Sequence, residues 1–170
     1  MSFDLQRPVL QGAMVGNRYM SDPMEVRPEW EDFNGHLNMA FYGVLFDWGS
    51  GPGFRALGLG GPHRDASGFT SFTGDFRVRY LREIHSGDMV RCSFILVKAG
   101  TKTFHFAQEL VHEDGWISAT AETLNLHVDM QTRKVVPHPP EVQARLEAME
   151  QEHRAIGLPD WVGAPLGVRG

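Results

Sequence analysis

One short segment concentrates the side chains that could do chemistry. Glu31-Asp32-Phe33-Asn34-Gly35-His36-Leu37-Asn38 sets a carboxylate, an imidazole and a carboxamide close together. Asp32 is a candidate nucleophile or general base, and a positioned base typically accelerates a reaction by about 10²–10⁴-fold. His36 is a candidate general acid or base. Both have plainer readings. Asp-Phe-Asn-Gly is good turn composition, and a histidine here can equally pack and bond the backbone.

The elements around this segment give it a direction. Met39–Trp48 is apolar nearly all round, the pattern of a helix buried on most faces, and Asn38 is a good N-cap for it. A helix start carries unsatisfied N–H groups and a positive dipole end, so the backbone N–H at Asn38 or Met39 suits a developing oxyanion. Gly49-Ser50-Gly51-Pro52-Gly53 should break or kink this helix, with a short turn over Phe54–Leu57 and a glycine-rich loop over 58–68. Before the motif, Met24–Trp30 reads as a short strand that Pro28 confines to an edge or end. Residues 1–22 read as an irregular arm.

After Phe69 the period changes to two. Phe72, Gly74, Phe76, Val78 and Tyr80 fall on one strand face; Thr73, Asp75, Arg77 and Arg79 fall on the other. Tight turns at His85–Asp88, Ala99-Gly100 and Glu113–Gly115 separate three further strands that end at Asp129. A Pro-rich connection over 130–140 leads to a charged helix over Glu141–Ile156, and the last fourteen residues read as loosely ordered. Strands joined by tight turns form an antiparallel sheet, and an all-round apolar helix needs a curved sheet to cover it. The expectation is a single α+β domain over 1–170, with a five-stranded core over about 24–130 wrapped around a central helix.

The Asp32-x-x-Gly35-His36-x-Asn38 motif, with Tyr42, Asp47, Phe72, Tyr80 and Gly87-Asp88 in register, resembles the 4-hydroxybenzoyl-CoA thioesterase-like hotdog superfamily. Trp30 to Asn38, Tyr80-Leu-Arg-Glu83 and Leu126-His-Val-Asp129 resemble in particular its betainyl-CoA thioesterase branch. The likeness covers roughly residues 24–145. It implies a hotdog fold and hydrolysis of a small acyl-CoA, with betainyl-CoA as a candidate. Asp32 would be the catalytic carboxylate, with His36 and Asn38 beside it and the Met39 backbone N–H at the oxyanion. Phe33, Tyr42 and Ser71 would touch substrate. Arg79, Lys98 and Lys102 are candidates for the coenzyme A phosphates by charge alone.

A thioester has an electrophilic carbonyl and a good leaving group, so no cofactor is expected, coenzyme A being part of the substrate. Relatives pair their open sheet edges, which implies a homodimer with sites drawn from both chains, and leaves a tetramer open. Two departures stand out: Met39 replaces a polar or aromatic residue of some relatives, and Gly49–Gly53 interrupts the helix. For a trimethylammonium group, two or three of Trp30, Phe33, Phe41, Tyr42 and Trp48 could form a cation–π cage, though most read as core.

Composition narrows the alternatives. The formal net charge of −5 over 170 residues argues against nucleic acid, whose binders display basic surfaces. No apolar run approaches a membrane span and the N-terminus lacks a signal-peptide pattern, so a cytoplasmic protein is expected. The lone Cys92 excludes an internal disulfide, and with so few thiolates His127 and Asp129 do not suggest zinc. Asp75 is a second carboxylate, read as solvated beside Arg77 and Arg79. Two rival functions remain: a hotdog hydratase or dehydratase, disfavoured by Met89-Val-Arg following Gly87-Asp88, and a non-catalytic acyl-ligand binder.

Overall fold

The computed structural model describes residues 8–166. Its order is β1 (Ala13–Val15), β2 (Arg18–Met20), β3 (Met24–Glu25), a 3₁₀ turn (Pro28–Trp30), α1 (Met39–Gly49), α2 (Gly51–Ala56), α3 (Gly61–Ser67), β4 (Phe69–Tyr80), β5 (Met89–Ala99), β6 (Thr103–His112), β7 (Ile117–Asp129) and α4 (Pro140–Ile156). The strands form one antiparallel sheet ordered β1-β2-β5-β6-β7-β4, with β3 also on β5. The sheet holds seven strands, two more than expected from the sequence. The arm is the reason: a turn at Gly16-Asn17 folds it into the β1–β2 hairpin, which extends the sheet beyond β5. Residues 1–7 of the arm lie outside the described residues. The expected strand at Met24–Trp30 stops after two residues, because Pro28 opens the 3₁₀ turn instead.

α1 lies in the concave face. Tyr42, Leu45, Phe46 and Trp48 join Val90, Cys92, Leu110, Ala119 and Ala121 in one buried cluster. The small Ala119 and Ala121 let the helix approach the sheet. Asn38 caps α1 as expected, its side chain accepting from Ala40 N–H at 3.0 Å. The Gly49–Gly53 break is milder than expected. The helix resets at Ser50, and α2 continues with Pro52 in its first turn, where a missing N–H costs nothing. Glycine is needed at 49 for contact: a Cβ there would stand 2.1 Å from Cys92 Cβ. Burial pushes the Cys92 thiol far above its ordinary range, so it stays a packed, un-ionised group.

The outer face is covered by the chain itself. α4 lays Val142, Leu146, Met149 and His153 along one stripe against the sheet. The segment after it, expected to be loose, crosses the sheet, with Leu158, Trp161 and Val162 packed on Ile95, Val97 and Ala107. Trp161 Nε1 donates to Glu109 at 3.2 Å.

β4 corrects the period-two reading. Its pairing with β7 slips between Thr73 and Asp75, so Gly74 is the extra residue of a β-bulge. One extra residue exchanges the faces of everything before it. Phe76, Val78 and Tyr80 face α1, but Phe72 turns outward beneath the Arg133 guanidinium, 5.3 Å from its ring centre. Ser71 and Thr73 turn inward.

Two outcomes follow from this packing. Gly49→Ala should lower unfolding free energy by about 1–3 kcal/mol in urea titrations, through overpacking. Cys92→Ala should not relieve the loss, because the clash is with Cβ. Second, His153 Nδ1 accepts from Leu96 N–H at 2.8 Å, and burial, with Arg18 nearby, holds its pKa below the ordinary imidazole value. The unfolded chain therefore binds more protons below about pH 6.5. Stability should be insensitive to this group above that pH and decline below it, and His153→Gln should flatten the decline of the urea midpoint between neutrality and mild acid.

Candidate active site

The motif folds into a narrow clasp. Asn38 N–H donates to Trp30 O at 2.9 Å and Asp32 N–H to His36 O at 3.1 Å, with a bridge between Glu31 and Leu37. The tip is closed by Asp32 itself, which accepts Asn34 N–H at Oδ1, 2.7 Å away, while its carbonyl accepts Gly35 N–H. Thus the turn reading of Asp32 is realised, and the clasp also returns the chain directly into the first turn of α1. The Asp32 side chain is half-buried. Asn38 uses its side chain and carbonyl on Ala40 and Phe41 N–H; neither bond engages the Met39 amide.

A second set of contacts, not anticipated from the sequence, fastens the clasp to the β4–β5 connection. Glu31 accepts Ser86 N–H at 2.6 Å, His85 Nδ1 lies 2.8 Å from Gly35 O, and Leu37 N–H donates to Ile84 O at 2.8 Å. The His85–Asp88 turn had signalled only a reversal. His36 is half-buried, its Nδ1 3.3 Å from Leu37 O, so the packed reading describes its position in this chain.

A cavity of about 780 Å³ opens further along the same helix. Gly43, Phe46 and Asp47 of α1, Phe54 of α2 and the bulged half of β4 form its walls. Ser71 and Thr73, turned inward by the bulge, face it together with Gln108, Thr123 and Asn125. The Ser71 Oγ is buried and makes no hydrogen bond, an unusual state for a buried hydroxyl. Gln108 is anchored, donating to Phe46 O at 3.1 Å. A cavity of this size with apolar rings and a few convergent polar groups suits a small organic ligand.

Several expected contacts are placed elsewhere. Tyr42 is only 4% exposed, packed edge-on against Tyr80 at 5.0 Å, and burial raises its pKa; it is a core residue. Phe33 is 98% exposed at the clasp tip. The imagined aromatic cage is filled: Trp30 stacks on Phe41 at 5.4 Å and meets Trp48 at 5.5 Å, and the Arg27 guanidinium sits over both indoles.

The three basic candidates do not converge. Lys98 pairs with Glu150 at 3.1 Å beside α4, and Arg79 donates to Trp161 O and Ala164 O in the C-terminal segment. Lys98 aligns through His105 and Leu124 with Asp75, four residues along β4 from Arg79. Lys102 is exposed in the β5–β6 turn. Among the described residues no group of three metal-ligating side chains occurs, and no helix is long and apolar enough to cross a membrane.

The chain matches the model of a thioesterase-like superfamily over residues 26–146. The betainyl-CoA thioesterase of Pseudomonas aeruginosa is 35% identical over 84% of this chain and 91% of that protein. An L-carnitine dehydrogenase/betainyl-CoA thioesterase of Rhizobium meliloti is 31% identical over 84% of this chain, which spans 29% of that longer protein. A Staphylococcus aureus protein solved in complex with CoA aligns with a TM-score of 0.76 at 22% identity, covering 92% of this chain and 99% of that one. The DHNA-CoA thioesterase of the same species aligns at 0.74 and 17%, covering 82% and 95%. The solved structures carry the fold, and the family model and the Pseudomonas relative carry the family: this chain belongs to the thioesterase-like superfamily and has its hotdog fold.

Proposed function

We propose that the protein hydrolyses the thioester of a small, polar acyl-CoA, with betainyl-CoA the leading candidate, at a corner formed by Asp32 and the start of α1. The observation that carries this reading is the clasp, which delivers a half-buried carboxylate to the helix N-terminus. Asp32 activates a water, or attacks the carbonyl carbon itself. The Met39 N–H receives the charge that develops on the carbonyl oxygen, a donor worth about 2.7–4 kcal/mol in comparable sites. The C–S bond breaks, the thiolate of coenzyme A takes a proton, and the acyl group leaves as the free acid after one water is consumed. Coenzyme A enters this scheme only as part of the substrate.

The acyl group belongs in the cavity, and the sheet edge suggests whose. β4 is a terminal strand of the sheet. Its Tyr80 end lies at the helix start, where the Tyr80 hydroxyl donates to Met39 O at 3.4 Å, and its Ser71 end lines the cavity. If two β4 edges pair antiparallel about a two-fold axis near the bulge, the Asp32 corner of one chain meets the cavity of the other. Exposed Phe76, Tyr80, Leu81 and Met39 would be covered by such pairing, and the free edge removed. We therefore read the active form as a homodimer with two composite sites, α4 and the C-terminal segment occupying the sheet's outer face. Ser71, Thr73, Thr123 and Asn125 favour a hydrogen-bonding acyl group over a fatty chain, consistent with the betainyl-CoA substrate in the name of the Pseudomonas relative.

Asp32→Asn tests the corner without disturbing the turn, since an asparagine Oδ1 can still accept Asn34 N–H. Thiol release from betainyl-CoA should fall by about 10²–10⁴-fold with unchanged thermal unfolding; full activity would overturn the reading. Composite sites have their own signature. Co-expressed Asp32→Asn and Ser71→Trp chains, each inactive alone, should recover up to about a quarter of native activity, because one site in each mixed dimer is intact. No recovery in isolated mixed dimers would place both groups in one chain's site.

A further inference from the structure

α3 supplies a wall of the cavity through Gly60, Gly61, Pro62 and Arg64, yet buries none of its own residues. Gly60 (φ 95°) before it and Gly68 (φ 75°) after it hold left-handed backbone, where only glycine is at ease. A seven-residue helix with no buried face has little to hold it in place. Its side-chain bonds otherwise stay local: Arg64 to Asp65, and Ser67 to His63 O. The exception is His63, whose Nε2 lies 3.3 Å from Nε2 of His127 on β7.

The geometry of that pair fixes its protons. His127 is buried, and its Nδ1 faces the Val136 carbonyl at 3.3 Å, which can only accept, so Nδ1 carries the hydrogen. Its Nε2 is then the acceptor and His63 Nε2–H the donor. Phe69 and His138, with ring centres 5.3 and 5.0 Å from that of His127, keep the imidazole in place. Burial, with His127 nearby, holds the His63 pKa below its ordinary value, which keeps the donor–acceptor match at neutral pH.

We propose that α3 is the end stop of the acyl cavity and that His63, through its hydrogen bond to His127, is the positioning residue that limits how long an acyl group is accepted. This rests on the cavity being the acyl site. Released from His127, α3 swings on its two glycines and opens the cavity wall, so a longer chain passes where the closed helix excludes it. The short acyl groups already accommodated lose little.

The test compares native protein, His63→Ala and His63→Gln on acetyl-, butyryl- and octanoyl-CoA, with hydrogen exchange of residues 61–68. His63→Ala should raise kcat/KM for octanoyl-CoA relative to acetyl-CoA by roughly tenfold, the scale of a few methylenes gained in an apolar site, mainly through KM. Amides of 61–68 should exchange faster while those of β4 and β7 do not. His63→Gln, which keeps an N–H donor, should restore the native ratio and exchange pattern. A native octanoyl-to-acetyl ratio in His63→Ala overturns the end stop, and unchanged exchange at 61–68 overturns the latch. Asp32→Asn assayed alongside separates the two readings. Turnover retained there overturns the catalytic corner, whereas turnover lost there with a flat ratio in His63→Ala overturns the end stop alone.

Discussion

The hydrogen bond from Asn38 N–H to the Trp30 carbonyl, 2.9 Å long, closes the clasp on which the rest of the site depends. It forces the chain to leave the 3₁₀ turn, reverse through Asp32–His36 and re-enter at the helix cap. The reversal has little hydrophobic content of its own, and Phe33 at its tip is in solvent. Its rigidity comes instead from backbone bonds and from the Glu31–Ser86 and Leu37–Ile84 ties to the β4–β5 connection. A carboxylate held this way loses little conformational freedom when a substrate arrives, which is how pre-organised polar groups act on charge that develops during reaction.

The bulge at Gly74 is the second constraint. Without the extra residue, Ser71 and Thr73 would point outward and Phe72 inward, and the cavity wall would be apolar. With it, the strand presents hydroxyls at its cavity end and aromatic rings at its helix-start end. One inserted residue therefore divides β4 into a ligand-facing half and a packing half. Bulges recur beside active sites for this reason: they re-aim side chains while the strand stays paired.

Much of this was legible in the sequence, and the failures have physical causes. The all-round apolar run Met39–Trp48 between Asn38 and the glycines announced a capped, buried helix, and period-two alternation announced the strands. Alternation cannot announce a bulge, because Gly74 satisfies either register, so Phe72 and Ser71 exchanged faces unnoticed. Tyr42 matched a motif but sits four positions into the helix on the face turned to Ala119 and Ala121, where burial decided its role. Arg79, Lys98 and Lys102 were grouped by charge, which carries no information about place; the sheet register separates them. The aromatics near the motif do gather, but around Arg27, a cation from within the chain. In the arm, short strands pair only because β5 offers an edge, a tertiary fact that no local pattern contains.

The most direct test of the central claim is a crystal structure of the Asp32→Asn protein with an acyl-CoA bound. The account predicts the thioester carbonyl oxygen within hydrogen-bonding reach of the Met39 amide, about 2.7–3.1 Å, the carbonyl carbon facing residue 32, and the acyl group in the cavity beside Ser71 of the partner subunit. A thioester bound away from the start of α1, with residue 32 facing only water, would contradict it.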